Sequence, residues 1–410
     1  MKILQVNKFH YLRGGAERYY LEVGKKLEEK GHKLAYFSMK HPKNEASSWS
    51  KYFVSRLSFN SLSLKDYFKL PFRIIYSQEA KRKFQALLDK FSPDVIHMHN
   101  IYHHLSPSII DVAYKKNIPV VLHLHDYKMI CPNYQLYDGK NFLWNCCGQR
   151  SWNCFRKKCF KNSYFQSFLV SLEYFIHHQV LDIYRKKVSL FIAPSQFIKN
   201  SLVRFGFDES KIKVLRNFVL KEQIKEPDHK NSNYLLYFGR LSSEKGLELL
   251  LKALNKSKSS LKLKIVGDGP EASSLKKLSS KLNLDKQVEF TGALFKDKLL
   301  KEIDGAKAVL MPSIWPENMP FSLLEALARG KVVLASKVGG LPEVIRPGYN
   351  GLLFESNSVE SLAKAIDSLE TLNLKEMQIN AYNSAKDLII DRHVEEVLRL
   401  YNKLITNNRK

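Results

Sequence analysis

The chain has few cysteines, a deficit of acidic residues and no long apolar run. Each absence narrows what it can be. Five cysteines in 410 residues do not suggest a disulfide framework. No stretch of about 18 apolar residues occurs, so no transmembrane helix is expected. Met1-Lys2 is followed by Ile-Leu-Gln-Val and then by the polar Asn7, Lys8 and His10. That apolar run is too short for a secretory signal. The expectation is a cytoplasmic protein, peripheral at most on the inner face of the cell membrane. No tract looks disordered or of low complexity, and no Gly/Ser-rich linker marks a domain boundary.

What is present is basic. Lys and Arg number 66 against 40 Asp and Glu, a formal charge of +26. An excess of that size favours a polyanionic partner or surface: nucleic acid, anionic lipid or a phosphorylated substrate. Solvated surface lysines would give the same number, so composition alone does not choose. The 44% hydrophobic and 26% charged content is an ordinary globular mixture. The length suits two domains of roughly 100–200 residues each.

Short apolar runs alternate with helical patterns along the whole chain, which predicts βαβ units and parallel sheets. In the C-terminal half the expected strands are Tyr234 to Phe238, Leu263 to Val266, Val288 to Gly292, Ala308 to Met311, Val332 to Ala335 and Gly351 to Phe354. In the N-terminal half they are Lys2 to Val6, His32 to Phe37, Asp94 to His97, Pro119 to His123 and Ser189 to Ala193. The fold class expected is α/β, with two doubly wound, Rossmann-like domains. One covers residues 1–215, with a cysteine-bearing insert at about 131–160, and the other residues 216–388. A terminal helix over 389–410 would pack back on the first domain. Two such domains create one cleft at the carboxyl ends of their strands, and candidate site residues should gather there.

The segment Glu317 to Glu325 is the first candidate. Pro320 sits near a first helical turn and Gly330 just past the last, so Glu317 precedes a helix and Glu325 lies inside it. The N–H groups near 319–321 would form an anion- and hydroxyl-binding rim. Eight residues of helix span ~12 Å, whereas hydrolytic carboxylate pairs stand roughly 5–10 Å apart. Two ends of one long ligand suit the spacing better than a hydrolytic pair.

Several stretches occur together: Phe238-Gly-Arg-Leu-Ser-Ser-Glu-Lys-Gly246, Ile265-Val-Gly-Asp-Gly-Pro270, Val288-Glu-Phe-Thr-Gly292, Pro312-Ser-Ile-Trp-Pro-Glu-Asn-Met-Pro-Phe321, Val338-Gly-Gly-Leu-Pro-Glu343, Gly14-Gly-Ala-Glu17 and Leu124-His-Asp126. As a set they resemble the retaining glycosyltransferases of family 4, which have the GT-B fold. The resemblance implies transfer of a hexosyl group from a UDP- or GDP-sugar to a hydroxyl of a glycan or lipid-linked acceptor, in surface-polysaccharide or lipopolysaccharide assembly. Arg240 and Lys245 match its diphosphate-neutralising cations, Glu317 its sugar carboxylate and Glu325 its ribose carboxylate. Gly14 and Gly15 match its glycine loop and His125 its acceptor-domain histidine. Backbone from Asn318 through Met319 and Pro320 to Phe321 would touch sugar and phosphates. Gly239 belongs to the donor turn, and Gly267 and Leu294 stand where the base would lie. Asn100 and Asp126 would line the acceptor pocket. The resemblance implies no catalytic metal or other cofactor. Other GT-B activities, such as sugar-nucleotide epimerisation, and a catalytically silent nucleotide-sugar-binding role remain as alternatives.

Two features stand apart. Cys131, Cys147, Cys154 and Cys159 could hold a structural zinc ion, or be free thiols, and Cys146 adjoins them. Stretches from Lys51 to Lys83 and from Tyr164 to Lys187 mix bases with aromatics. They suit either an anionic membrane surface or ordinary amphipathic helices packed on a sheet. No nucleic-acid-binding module is recognisable, so nucleic acid is not an expected partner.

Overall fold

The structure is a computed structural model that describes residues 1–56, 71–137, 148–229 and 233–408. It divides into two compact units: Met1–Leu215 with His393–Lys410, and Arg216–Arg392.

The N-terminal unit is built on a six-stranded sheet in the order β2-β1-β3-β4-β5-β6. Its strands are β1 (Lys2–Val6), β2 (Lys33–Phe37), β3 (Val95–Met98), β4 (Val120–His123), β5 (Leu190–Ala193) and β6 (Ile212–Val214). All pair in parallel. β3, β4 and β5 are buried along their whole length, as strands covered on both faces must be. Only β6 was not anticipated; its three residues have one buried apolar position, too little pattern to read. The terminal helix is Ile390–Asn408. Within this unit it buries Val394, Val397 and Tyr401, and Tyr401 Oη lies 2.6 Å from His97 Nδ1.

The C-terminal unit repeats the architecture in the order β12-β11-β10-β7-β8-β9, again all parallel. The strands are β7 (Tyr234–Phe238), β8 (Lys262–Val266), β9 (Val288–Gly292), β10 (Ala308–Met311), β11 (Val332–Ser336) and β12 (Gly351–Phe354). Successive residues feed opposite cores. Leu235, Leu263, Leu310 and Leu334 pack with Leu250, Leu254 and Ile366. Leu236, Val309 and Val333 pack with Leu323, Leu327 and Ala381 on the other face.

Both sheets reverse their winding once, between β1 and β3 and between β7 and β10. At such a switch point the adjacent loops diverge to opposite faces and leave a crevice at the strands' carboxyl ends. Among the described residues no helix is long and apolar enough to cross a membrane.

Candidate functional site

In the C-terminal unit, the loops after β7 and β10 flank the switch point and carry most of the predicted donor residues. The β7 loop is pressed against the β8 loop. A Cβ on Gly267 would stand 1.8 Å from Gly239 O, and both glycines have positive φ, +147° and +152°. Backbone close approach therefore demands glycine at Gly267. Arg240 is exposed, and its carbonyl accepts from Tyr237 Oη at 2.8 Å. Burial, followed by the Glu317 and Glu244 carboxylates, pushes the Tyr237 pKa upward, so that hydroxyl stays protonated.

Ser243–Lys245 forms a single tight turn, and Gly246 (φ +70°) caps the helix Leu247–Lys256. The helix thus begins after Gly246. A Cβ on Gly246 would lie 2.0 Å from Pro312 O, so this turn is fitted against the β10 loop. The fit brings Lys245 Nζ to 2.5 Å from Glu317 Oε1, and Ser313 Oγ donates to the same oxygen at 2.6 Å. Glu317 is 3% exposed. Its backbone is held from the other side: Gly340 N donates to Glu317 O at 2.7 Å, and a Cβ on Gly339 (φ +60°) would stand 2.2 Å from that oxygen. The Val338-Gly-Gly segment is therefore a clamp on Glu317.

Beyond Glu317 the chain buries Asn318 and Met319, whose carbonyl accepts from Asn217 Nδ2 at 2.7 Å. Pro320 then starts the helix Phe321–Ala328, and the Phe321 ring meets Phe218 edge-on at 5.5 Å. Glu325, 6% exposed, accepts from Gln223 Nε2 at 2.7 Å. Leu294, half-buried in the loop after β9, packs on the apolar cluster containing Phe238 and Val266. Lys245 and Glu317 are thus in direct contact, with Arg240 on the same loop as Lys245 and Glu325 further along the helix.

In the N-terminal unit the β1 and β3 ends meet through backbone: Lys8 N donates to Asn100 O at 2.9 Å and Asn100 N to Asn7 Oδ1 at 3.2 Å. Asn100 Oδ1 accepts from Tyr102 Oη at 2.9 Å. Gly14 precedes the helix Gly15–Glu29 in extended backbone (φ −168°), and a Cβ there would meet nothing nearer than 3.7 Å. The fold itself does not require glycine at this position.

His125 follows β4, its Nε2 3.0 Å from His99 Nδ1, while His99 Nε2 lies 3.0 Å from Gln5 Oε1. Its ring stacks on His123 at 4.5 Å. Burial lowers the pKa of His125 and His97 to about 3, and depresses His99 and His123 as well. These imidazoles are neutral at physiological pH. Asp126 is raised to about 6 by burial, against the pull of Lys8. Burial lowers Lys8 despite the attraction of Asp126 and Glu17. Lys8, Ser313 and the His99–Gln5 relay were not singled out as site residues from sequence. A cation placed directly after β1 was the only available signal for Lys8.

Cys131, Cys154 and Cys159 are buried thiols. Cys131 Sγ bonds Asn133 Oδ1 at 2.9 Å, and Cys154 and Cys159 pack with Val170 and Phe160. Cys147 and Cys146 lie outside the described residues. Among the described residues no three His, Cys, Asp or Glu side chains are placed to hold a metal ion.

Two Rossmann-like units, each with a loaded switch point, define a GT-B glycosyltransferase architecture. The profile described as Glycosyltransferase Family 4 matches residues 13–222, and that described as Glycosyl transferases group 1 matches residues 220–387. The first spans just over half of the chain, and the chain belongs to glycosyltransferase family 4. An uncharacterized 42.6 kDa protein in the cps region of Klebsiella pneumoniae is 27% identical over 84% of this chain and 88% of its own length. The lipopolysaccharide 1,2-N-acetylglucosaminetransferase of Salmonella typhimurium is 32% identical over 43% of this chain, which spans 51% of that enzyme. Among solved structures, a glycosyltransferase from Rickettsia africae superposes with a TM-score of 0.69 at 20% identity, covering 99% of each chain. Anabaena Alr3699/HepE in complex with UDP gives 0.68 at 19% identity, over 98% of this chain and 100% of that one. These two likenesses bear on the fold.

Proposed function

We propose that the protein moves a hexosyl group from a UDP- or GDP-sugar to a hydroxyl of a glycan or lipid-linked acceptor, with retention of configuration, in cell-surface polysaccharide or lipopolysaccharide assembly. The observation that carries this reading is the Lys245–Glu317 pair at the β7/β10 switch point, clamped by Gly339. A cation and a carboxylate there match the two ends of a sugar diphosphate. On donor binding, Lys245 turns with Arg240 to the diphosphate, and Glu317 accepts from sugar hydroxyls. Glu325 takes the ribose diol, Gly267 and Leu294 flank the base, and backbone from Asn318 to Phe321 meets sugar and phosphate.

The Klebsiella and Salmonella relatives support a polysaccharide setting, and HepE's complex with UDP supports a uridine nucleotide. His125, neutral by burial, hydrogen-bonds the sugar, with Gly14 and Gly15 approaching the donor and Asn100 and Asp126 the acceptor. The bond from the anomeric carbon to the diphosphate breaks as the bond to the acceptor oxygen forms on the same face. The acceptor proton passes to the departing phosphate oxygen. Arg240 and Lys245 stabilise that leaving charge, so no metal or other cofactor is assigned a step. Contact with an anionic membrane surface at the cytoplasmic face, peripheral in kind, would bring the enzyme to a lipid-linked acceptor.

The test is release of UDP or GDP from a panel of donor sugars, with and without membrane extract. Release from one donor that depends on Lys245 supports the reading. No release from any donor, or turnover unchanged in Lys245→Ala, overturns it.

A further inference from the structure

The loops after β1 and β2 carry cations that none of the roles above uses. Backbone ties these loops together: Met39 N donates to Lys8 O at 3.4 Å and Glu45 N to His10 O at 2.8 Å. The β3 loop joins them where Lys8 N meets Asn100 O. Lys8 and Arg13 thus stand on the loop leaving β1, at the switch point of the N-terminal sheet.

Both cations rest on aromatic rings instead of on carboxylates. Lys8 Nζ lies 4.4 Å from the Tyr102 ring centroid and 5.7 Å from that of Phe9, and Arg13 Cζ lies 4.7 Å from the Phe9 centroid. Phe9 and Tyr102 are themselves buried. An aromatic face holds a cation without using its N–H donors. Among the described residues, neither Lys8 Nζ nor the Arg13 guanidinium has a hydrogen-bond or ion-pair partner. Asp126 and Glu17 attract Lys8 without reaching ion-pair distance, and burial lowers its pKa against that attraction. A half-buried ammonium with open donors is unfavourable until an acceptor oxygen arrives.

The surroundings are of one sign. Residues 7–15 contain no Asp or Glu, and residues 38–56 hold four Lys or Arg against Glu45 alone. The pKa of His41 is lowered by desolvation and then by Arg56, Lys43 and Arg13, cations all. Its ring stacks on Tyr11 at 4.5 Å and 19°, and both side chains are half-buried. A stacked pair of this kind is a shelf on which a pyranose can lay its C–H face.

We propose that this crevice selects an acidic acceptor saccharide, Lys8 and Arg13 binding its carboxylate or phosphate while a sugar ring lies on the Tyr11–His41 shelf. The donor diphosphate has Arg240 and Lys245 assigned to it, so these two cations are surplus to it. Two cations with open donors beside a ring shelf match a charged sugar better than a neutral one. The inference rests on the transfer reading and names the acceptor class within it.

The experiment is calorimetric titration of the full chain, with and without saturating UDP or GDP. The probes are glucose, galactose, glucuronate, galacturonate, the two hexose 1-phosphates and inorganic phosphate. At least one acidic sugar should bind on the order of tenfold tighter than its neutral parent. Uronates and sugar phosphates are separate arms, and the tighter class identifies the anion. Lys8→Met and Arg13→Gln should each weaken that acidic sugar about tenfold and leave the neutral parent unchanged. Tyr11→Ala should weaken both about threefold. Thermal stabilisation by UDP or GDP should persist in all three variants. The titration needs no turnover, so its failure is distinct from a failure of nucleotide release. Should Lys8→Met not fold, Arg13→Gln, at an exposed position, carries the test alone. No preference for any acidic sugar, inorganic phosphate binding as tightly as the sugar phosphates, undiminished binding in Arg13→Gln, or displacement of the acidic sugar by UDP or GDP would each overturn the proposal.

Discussion

Lys245 and Glu317 neutralise one another: Nζ and Oε1 stand 2.5 Å apart, on loops 72 residues apart in sequence. Glu317 is almost completely buried while the Lys245 side chain is 23% exposed, so the pair is a covered carboxylate with a cation at its mouth. Lys245→Ala should leave Glu317 with Ser313 and lower stability by roughly 1–3 kcal/mol. Adding Glu317→Gln should restore most of the melting temperature. Transfer should fall on the order of a hundredfold in Lys245→Ala and stay low in the double variant. Calorimetry and nucleotide release measure the two effects separately. Full recovery of turnover in the double variant would show that the pair is structural only.

Gly339 offers a steric test of the clamp. Gly339→Ala places a methyl 2.2 Å from Glu317 O at a φ of +60°, so the β10 loop must move. Gly348 also has positive φ (+76°), but nothing lies within 4 Å of its Cβ direction. Gly348→Ala should cost about 1 kcal/mol from backbone strain alone. Gly339→Ala should cost more than ~2 kcal/mol and also weaken donor binding. Denaturation midpoints paired with a donor titration check both, and equal costs at the two sites would remove the clamp from the account.

The contrast between those two glycines shows what was legible beforehand. Period and punctuation located β1, β7, β9, β10 and β12 to the residue, because apolar runs ending at Gly or polar loops are local signals. Ile212–Val214 carried no such signal. The motif Val338-Gly-Gly could be read as a motif, but nothing local says that Gly339 touches Glu317, 22 residues earlier. The Gly246–Pro312 contact and the His125–His99–Gln5 relay are equally non-local. Residue types at strand ends were readable; the partners they hold required the fold.

Acid should destabilise the N-terminal unit first. Unfolded imidazoles titrate near 6.5, whereas in the fold burial holds His97 and His125 at about 3 and His10 at about 4, and also depresses His99 and His123. Between those values the unfolded chain binds more protons, so stability rises with pH. The contribution is complete above about pH 6.5 and is lost as pH falls toward 3–4. Asp126 has the opposite sign, its pKa being raised from 3.8 to about 6, but it is one group against five. The C-terminal unit, Arg216–Arg392, carries only His229. Near-ultraviolet circular dichroism followed down in pH should therefore show an acid transition whose steepness falls in His97→Phe. A transition unaffected by that change would mean the histidines do not drive it.

Glu325 should act on affinity more than on turnover. Its Oε1 already accepts from Gln223 Nε2 at 2.7 Å, so the carboxylate is fixed before ligand arrives. Glu325→Gln removes one charged acceptor for a ribose diol and should raise the donor KM roughly tenfold with kcat changed little. An equal loss in kcat would move Glu325 from ribose binding to the reacting centre.

His99 is expected to act through His125. With Gln5 Oε1 accepting at His99 Nε2, that nitrogen carries the proton, so His99 Nδ1 accepts from His125 Nε2–H. The relay thereby fixes both the ring orientation of His125 and its tautomer, with the lone pair on Nδ1. A neutral acceptor in that state can take a hydrogen bond from a sugar hydroxyl. His125→Ala should lower kcat on the order of a hundredfold. His99→Phe keeps a ring in the stack but removes the acceptor, and should lower kcat on the order of tenfold while leaving donor KM nearly unchanged. Nitrogen-15 chemical shifts of His125 should then show mixed tautomers in His99→Phe and a single one in the parent. Were the tautomer unchanged and kcat still reduced, His99 would be acting through packing, and the relay would carry no part of the effect.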